Sequence, residues 1–343
     1  MLDKFVGHIE EIKNKNIISV QINLLNKCTS HCKSCRKYTW PNFVWDINEL
    51  KKTITVLKRD FGLQTIFFCG GDPILYKNFP ELVSFLQENG IKYSLITTLL
   101  TKDKNILELI AKTAYRIHVS VDAVDEKTYK EVRGVDGYKL LCNSLSYINT
   151  IKKENGSNLP IIRFSSTIGK INYNSVFDIY NFAKRNNCLV RYNYLRIWDG
   201  LAMSDENEKV FYSEMNKIIE DERKNKNKIS NASSFLSSDS EDYKISKCYL
   251  SQVSAVLDSN GDIYPCCWIM EEFDFYVKQK ERAYGNVLHK TEKEIKEEFE
   301  KRKKLNYPQC NGLCENCIQY YGEVLKDLEA IFNDKKEVLF FWL

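Results

Sequence analysis

Two hydrophobic rhythms alternate along the first two hundred residues. Short runs of β-branched and aromatic residues predict buried strands at 17–25, 65–69, 93–98, 115–121, 161–168 and 189–195. Between them apolar residues recur at helical spacing. The clearest helix starts at Asp46, with Glu49 three residues on completing a capping box. Ile47, Leu50, Ile54, Leu57 and Phe61 then mark one face, and Gly62 ends it. Further helices are predicted at 80–89, 104–112, 138–153 and 174–185, with another helix start at Asp125. Such β/α alternation implies a parallel sheet with crossover helices. Six units fall short of an eight-stranded barrel, so an α/β partial (β/α)6 barrel is the expected fold.

After the sixth strand the pattern changes. Residues 205–228 read as a charged helix, and 229–242 are rich in Ser and Asn, as in a linker. A β-hairpin follows, with strands at 253–257 and 262–264 around Asn260-Gly261, a type I′ turn signal. The expected division is a β/α domain at 1–228, a linker at 229–245, a small C-terminal domain at 246–325, and a helix with an apolar tail at 326–343. The tail Val338-Leu-Phe-Phe-Trp342-Leu343 is too apolar to be left in water.

Composition narrows the class. Over 343 residues the net charge is +4, too small to argue for nucleic acid. No signal peptide and no apolar run of membrane-spanning length is visible, so a cytoplasmic protein is expected, with neither membrane nor nucleic acid as partner. The twelve cysteines are clustered in a long chain, which points to metal rather than a disulfide framework.

The first cluster is Cys28-Thr-Ser-His-Cys32-Lys-Ser-Cys35, directly after the first strand. Three thiolates can hold three irons of a cubane 4Fe-4S cluster and leave the fourth iron open for a small molecule. The spacing differs from the ferredoxin pattern. Zinc prefers four ligands in paired C-x2-C units, although His31 sits inside the loop. A second cluster comprises Cys248, Cys266, Cys267, Cys310, Cys314 and Cys317. Four of these thiols can close a second cubane or hold a zinc ion. Cys69, Cys142 and Cys188 read as buried small hydrophobes.

The C-x3-C-x2-C loop resembles that of the radical S-adenosylmethionine (radical SAM) superfamily. Gly70-Gly71-Asp72-Pro73, at the end of the second strand, is similar to the family's Gly-Gly-Glu-Pro motif, whose backbone and acid hold the SAM ammonium. Ser120-Val-Asp122 resembles the position that hydrogen-bonds the SAM ribose, and Tyr129-Lys-Glu-Val-Arg133-Gly134 is familiar from the same branch. Two departures stand out. Ser34 replaces the usual aromatic beside the adenine, leaving Tyr38 or Trp40 for that task, and Thr97-Thr98-Leu99-Leu100 stands where the family has Thr-Asn-Gly.

The C-terminal cysteines, with Tyr284-Gly285-Asn286-Val287 between their halves, resemble the SPASM and twitch extensions of that superfamily. A single-cluster twitch layout implies Cys248, Cys266, Cys314 and Cys317 as ligands, with Cys310 as an alternative. The resemblance implies two 4Fe-4S clusters, SAM as cosubstrate, and a reductant such as flavodoxin or ferredoxin. One electron splits SAM, and the 5′-deoxyadenosyl radical takes a hydrogen atom from substrate. The first strand begins by Ile17, which argues against a fused leader-binding domain and toward a polar small molecule, sugar- or cyclitol-like, oxidised with the auxiliary cluster as electron acceptor. Inward candidates for substrate are Tyr38, Arg163, Arg191, Tyr194, Arg196 and Trp198. The alternatives are a radical SAM maturase that crosslinks or epimerises a short peptide, with Cys267 as hydrogen donor in an epimerase, and a non-catalytic zinc-binding protein. No catalytic acid or base is legible.

Overall fold

Each strand of the β/α series is followed by a helix that returns the chain to the same end, so the strands line up in chain order. The computed structural model describes residues 17–35, 41–195, 200–235, 253–266 and 283–304. Strands β1 (Ser19–Leu25), β2 (Thr65–Gly70), β3 (Lys92–Thr97), β4 (Arg116–Ser120), β5 (Ile161–Ile168) and β6 (Leu189–Tyr194) form the parallel part of one sheet. Helices α1 (Ile47–Phe61), α2 (Phe79–Glu88), α3 (Lys104–Thr113), α4 (Glu126–Arg133), α5 (Tyr138–Glu154), α6 (Val176–Arg185) and α7 (Asp205–Asn225) connect and follow them.

One face of the sheet is packed under helices. Val20, Ile22, Leu24, Phe68, Leu95, Ile117, Val119 and Phe164 are completely buried there. The other face is concave and half-buried. Phe67 on β2 and His118 on β4 are separated by a whole strand, yet their rings lie 5.1 Å apart. On a flat sheet two strand spacings amount to roughly 9–10 Å, so the sheet curls around a lumen. Gln21, Asn23, Phe67, Ser94, His118, Arg163, Ser165, Arg191 and Asn193 occupy positions facing it.

The C-terminal hairpin is joined to this sheet. Strand β7 (Ser254–Leu257) runs parallel beside β1, with Ser19 opposite Ser254 and Ile22 opposite Leu257. Strands β8 (Asp262–Tyr264) and β9 (Gly285–Asn286) continue it antiparallel. The hairpin turn differs from the expected type I′. Of Asn260 and Gly261 only Gly261 has positive φ (+81°), and its N–H donates to Asp258 O at 2.9 Å. This is a type I turn closed by a left-handed glycine, the usual three-residue alternative.

Asp46 caps α1 as expected, accepting from Asn48 N and Glu49 N. Glu49 does not reciprocate. Its carboxylate instead binds Lys52 (2.8 Å) and accepts the His289 N–H (3.2 Å), so the acid of the expected box ties α1 to the C-terminal segment. Helix α8 (Glu292–Glu300) packs on α1: Phe299 lies 5.8 Å from Phe61, and the Arg302 guanidinium sits 5.1 Å over the same ring.

Residues 229–235, read as the start of a linker, cover the open edge of β6. Val190 N–H donates to Ile229 O (2.8 Å), Asn231 pairs with both backbone groups of Tyr192, and Phe235 packs 5.6 Å from Phe211. Covering an edge strand removes an unpaired row of donors and acceptors. The expected tail and helix at 326–343 lie outside the described residues. Among the described residues no helix is long and apolar enough to cross a membrane.

Phe299 is fully buried between α8 and α1. Phe299→Ala is expected to lower stability by about 3–5 kcal/mol, with the loss read by denaturant unfolding. A change within error would mean that α8 contributes nothing to the fold.

Candidate active site

The cysteine loop starts where β1 ends and is held on three sides. On the first, Asn26 N–H donates to Phe43 O (3.2 Å) and Asn26 Nδ2 to Pro41 O (2.7 Å). On the second lies the end of β2. Gly71 N–H donates to Leu25 O at 2.6 Å and Asp72 N–H to Lys27 O at 2.9 Å. A Cβ on Gly71 would sit 2.0 Å from Lys27 O, and one on Gly70, at φ +113°, 2.4 Å from Leu25 O. Only glycine permits this approach at both positions. The third side is the end of α4. His31 N–H donates to Arg133 O (3.0 Å), Lys33 N–H donates to Val132 O (3.1 Å), and a Cβ on Gly134 would meet His31 O at 2.4 Å.

Cys28 and Cys35 are half-buried, Cys32 is buried, and none is in a disulfide. Burial pushes the Cys28 thiol up to about 11, against the Ser30 N–H, and Asp72, Cys32 and Cys35 add to the rise. Cys28 and the neighbouring Asp72 carboxyl therefore resist ionisation until positive charge arrives, and iron supplies it. Among the described residues no three Cys, His, Asp or Glu side chains converge on a single-ion site. A cubane asks instead for one thiolate at each of three iron corners. The soft donor set and the glycine cradle fit such a cluster.

Arg133 links the loop to β4. Its Nη1 donates to Cys32 Sγ at 3.2 Å, and its Nε lies 2.9 Å from Asp122 Oδ2, an ion pair whose N–H is not well aimed at the oxygen. Burial opposes the guanidinium charge, but Asp122, Cys32 and Tyr129 outweigh it and raise Arg133 above its ordinary value. Asp122 Oδ1 accepts the Thr167 N–H at 2.7 Å, and Asn172 Nδ2 bridges the Asp122 and Thr167 carbonyls. Burial pushes the Asp122 carboxyl up, with Arg133 and the Thr167 N–H opposing.

Asp72 is 1% exposed. Its carboxylate accepts the Thr98 N–H (2.9 Å), the Thr98 hydroxyl (2.5 Å) and the Ile74 N–H (3.4 Å). Burial raises it, and the Thr98 and Thr97 contacts counteract. Thr98 thus turns the sequence's departure at this strand end into the anchor of Asp72.

The structure brings Cys28, Cys32, Cys35, Gly70, Gly71, Asp72, Pro73, Ser120 and Asp122 together at or just beyond the C-terminal ends of β1, β2 and β4. Ser34 lines a shallow cleft there with Lys33, Val132, Thr167, Gly169 and Leu201. Cys266 follows β8 and is half-buried. Cys248, Cys267, Cys310, Cys314, Cys317, Tyr38, Trp40, Arg196 and Trp198 lie outside the described residues. Tyr194 does not face the lumen: its hydroxyl binds Glu208 and its ring packs 5.6 Å from Phe211 on α7. Cys69 and Cys188 are buried as expected, whereas Cys142 is only half-buried, beside Tyr138. Sequence reasoning assigned no role to Arg133, Thr98, Thr167 or Asn172. The Arg133-Gly134 pair was the one local signal among them.

A parallel β/α sheet with a three-cysteine loop at its strand ends is a scaffold suited to an iron–sulfur cluster with one open iron. The sequence profile of the radical SAM superfamily matches residues 22–182, and that of an iron–sulfur cluster-binding domain, SPASM, matches 248–318. The chain belongs to the radical SAM superfamily and carries a C-terminal SPASM domain. It is an enzyme whose cofactors are SAM and 4Fe-4S clusters, and enzymes of this superfamily use a reductant. The zinc-protein alternative falls with that assignment.

Two curated relatives are a probable GTP 3′,8-cyclase of Sulfolobus acidocaldarius, 29% identical over 39% of this chain and 41% of the relative, and an S-adenosylmethionine-dependent nucleotide dehydratase of Selenomonas ruminantium, 30% identical over 32% of this chain and 40% of the relative. The chain thus spans about two-fifths of the length of these relatives. Among solved structures, native anSMEcpe with bound AdoMet superposes with a TM-score of 0.64 at 14% identity, covering 93% of this chain and 100% of that one. That likeness concerns the fold.

Two substitutions test the site's architecture. Arg133→Met leaves Asp122 buried without its charge partner and is expected to cost about 3–5 kcal/mol of stability. Asp72→Ala strands three donors from Thr98 and Ile74 and is expected to cost about 1–3 kcal/mol, with Asp72→Asn losing less. Thermal unfolding of anaerobically reconstituted protein reads both. Wild-type stability in either variant would remove the corresponding contact from the account.

Proposed function

We propose that this enzyme is an oxidoreductase acting on a polar small molecule, hydroxyl-rich like a sugar or cyclitol. Bound at these sites, the clusters and SAM would supply reductive SAM cleavage and hydrogen-atom abstraction from substrate, with a flavodoxin or ferredoxin as electron source and an auxiliary cluster as the acceptor that would complete a two-electron oxidation. The observation that carries the reading is the clamping of the cysteine loop between Gly70-Gly71 and the end of α4, at the strand ends.

Cys28, Cys32 and Cys35 hold the first cluster, and the Arg133 donor at Cys32 Sγ tunes it, since hydrogen bonds to sulfur shift a cluster's potential. Gly70 and Gly71 expose backbone to the SAM ammonium. Asp72 places a carboxylate within electrostatic reach of Cys28, where a cation is needed. Ser120 and Asp122 receive the ribose hydroxyls. Both Asp122 oxygens already have a partner, but each keeps a second lone pair. The cleft beside Ser34 takes the adenine. Cys248, Cys266, Cys314 and Cys317 hold the auxiliary cluster, with Cys310 the alternative to one of them. The polar lumen below the SAM site suits a hydroxyl-rich substrate. The names of the curated relatives, which specify nucleotides, agree with a polar, sugar-bearing class of molecule.

Reconstituted protein should carry about eight irons, four per cubane. Replacing Cys28, Cys32 and Cys35 together with Ala should remove about half and abolish 5′-deoxyadenosine formation. Retained SAM cleavage in that variant would sink the cluster assignment. Replacing Cys314 and Cys317 with Ala should spare 5′-deoxyadenosine formation while ending substrate oxidation. Wild-type product yield from that folded variant would eliminate the acceptor role.

A further inference from the structure

The helix that closes the cysteine loop carries a polar group that the proposed chemistry leaves without a task. Tyr129 stands four residues before Arg133 on α4, so the two side chains share one face, a single turn apart. Arg133 Nη1 already donates to Cys32 Sγ at 3.2 Å. Tyr129 is fully buried, and its ring lies 5.8 Å from the Tyr138 ring. Its hydroxyl is buried as well and has no hydrogen-bond partner among the described residues. Ser30 Oγ, inside the cysteine loop, is in the same condition. A buried hydroxyl without a partner is unfavourable, and native proteins keep few of them.

The groups around Tyr129 narrow what its hydroxyl can bind. Arg133, Asp122, Cys32 and Asp72 all lie within electrostatic range of it. Arg133 is a donor only. Asp122 engages Oδ1 with the Thr167 N–H and Oδ2 with Arg133. Asp72 engages Oδ2 with Thr98 and Oδ1 with the Ile74 N–H. Both carboxylates are thus engaged at both oxygens, whereas Cys32 Sγ has a single donor. A 4Fe-4S cluster on that thiolate would bring further sulfur acceptors beside it. Burial pushes the Tyr129 phenol up to about 12, so it keeps its proton and donates.

Taking Cys28, Cys32 and Cys35 as the ligands of the first cluster, as proposed above, we infer that the Tyr129 hydroxyl donates to sulfur at the Cys32 corner of that cluster and, with Arg133, sets how readily it is reduced. Two donors from one turn of α4 then serve one corner. A hydrogen bond to a cluster sulfur favours the reduced, more negative form, so each donor raises the potential. The neutral phenol does so without adding positive charge to a site that also takes the SAM cation. Removing the hydroxyl makes the cluster harder to reduce by the flavodoxin or ferredoxin that feeds it, and leaves all three thiols in place.

Tyr129→Phe removes one oxygen and keeps the ring. Apoprotein carrying it is expected to unfold at the wild-type temperature or above, because that oxygen has no protein partner to lose. After anaerobic reconstitution, a redox titration followed by electron paramagnetic resonance should find the SAM-responsive cluster roughly tenfold harder to reduce, about 59 mV more negative for a one-electron couple. The auxiliary cluster in the same sample should keep its potential. So should both clusters in Tyr138→Phe, whose lost hydroxyl pairs with Cys142. Electron–nuclear double resonance in light and heavy water should show an exchangeable proton coupled to the reduced wild-type cluster and absent from Tyr129→Phe. Faster loss of iron to a chelator, from a variant that folds normally as apoprotein, would support the same contact. A lower apoprotein unfolding temperature would assign the hydroxyl to the protein's own packing and overturn the proposal. An unchanged potential would overturn it too, and weaker SAM affinity at that unchanged potential would make SAM the partner instead. Wild-type protein without any SAM-responsive iron–sulfur signal would sink the cluster reading itself, whereas that signal with an unmoved potential removes only the tyrosine contact.

Discussion

The site depends on a close contact between two stretches of backbone. The chain leaving β1 and the chain leaving β2 lie so near each other that Gly71 N–H reaches Leu25 O at 2.6 Å, and no side chain fits at residue 70 or 71. Parallel neighbours normally end at loops that diverge. Here the glycine pair pulls them together, so the cysteine loop inherits its position from sheet register rather than from its own eight residues. The same device recurs at Gly134, where α4 ends against His31. Three thiols of one short loop are thereby held by three different crossover units. Disturbing any one of them moves a ligand without touching a cysteine.

The C-terminal segment is tied to the same place. β7 pairs in parallel register with β1, Asn23 Nδ2 donates to Asp258 Oδ1 at 2.9 Å in full burial, and Ser259 Oγ reaches Asn26 Oδ1 at 3.4 Å. The hairpin that ends near Cys266 thus grips the strand that ends near Cys28. A tethered domain with its own core would let the two cysteine regions drift. A shared sheet fixes the separation between Cys28 and Cys266, and electron transfer between two centres is sensitive to such a separation.

Local pattern made most of the elements legible. Apolar period located the strands and helices, and the caps at Asp46 and Asp125 stood where the sequence put them. What escaped was long-range. Nothing in 254–257 announces a partner at 19–22, because strand pairing leaves no local mark on side-chain order. Arg133 meets Cys32 across 101 positions, and Thr98 meets Asp72 across 26. Glu49 read as half of a capping box and instead reaches a backbone N–H 240 positions away. Asn260-Gly261 read as one turn and formed another, since Gly261 alone takes the left-handed conformation. Tyr194 failed as a lumen residue because side-chain parity on β6 points it at α7. Each miss is a residue whose partner is supplied by tertiary packing.

Charge is graded along the chamber. At the strand ends Asp72 and Asp122 are almost completely buried beside three thiols, and one guanidinium, Arg133, is paired with Asp122. Such a region is stabilised by cations, and iron together with the ammonium and sulfonium of SAM are cations. Below Ser120, burial and three arginines hold His118 neutral, with Arg163 level with His118 and Arg191 level with Ser120. At low effective dielectric the buried carboxylates act strongly on a charged ligand at the strand ends.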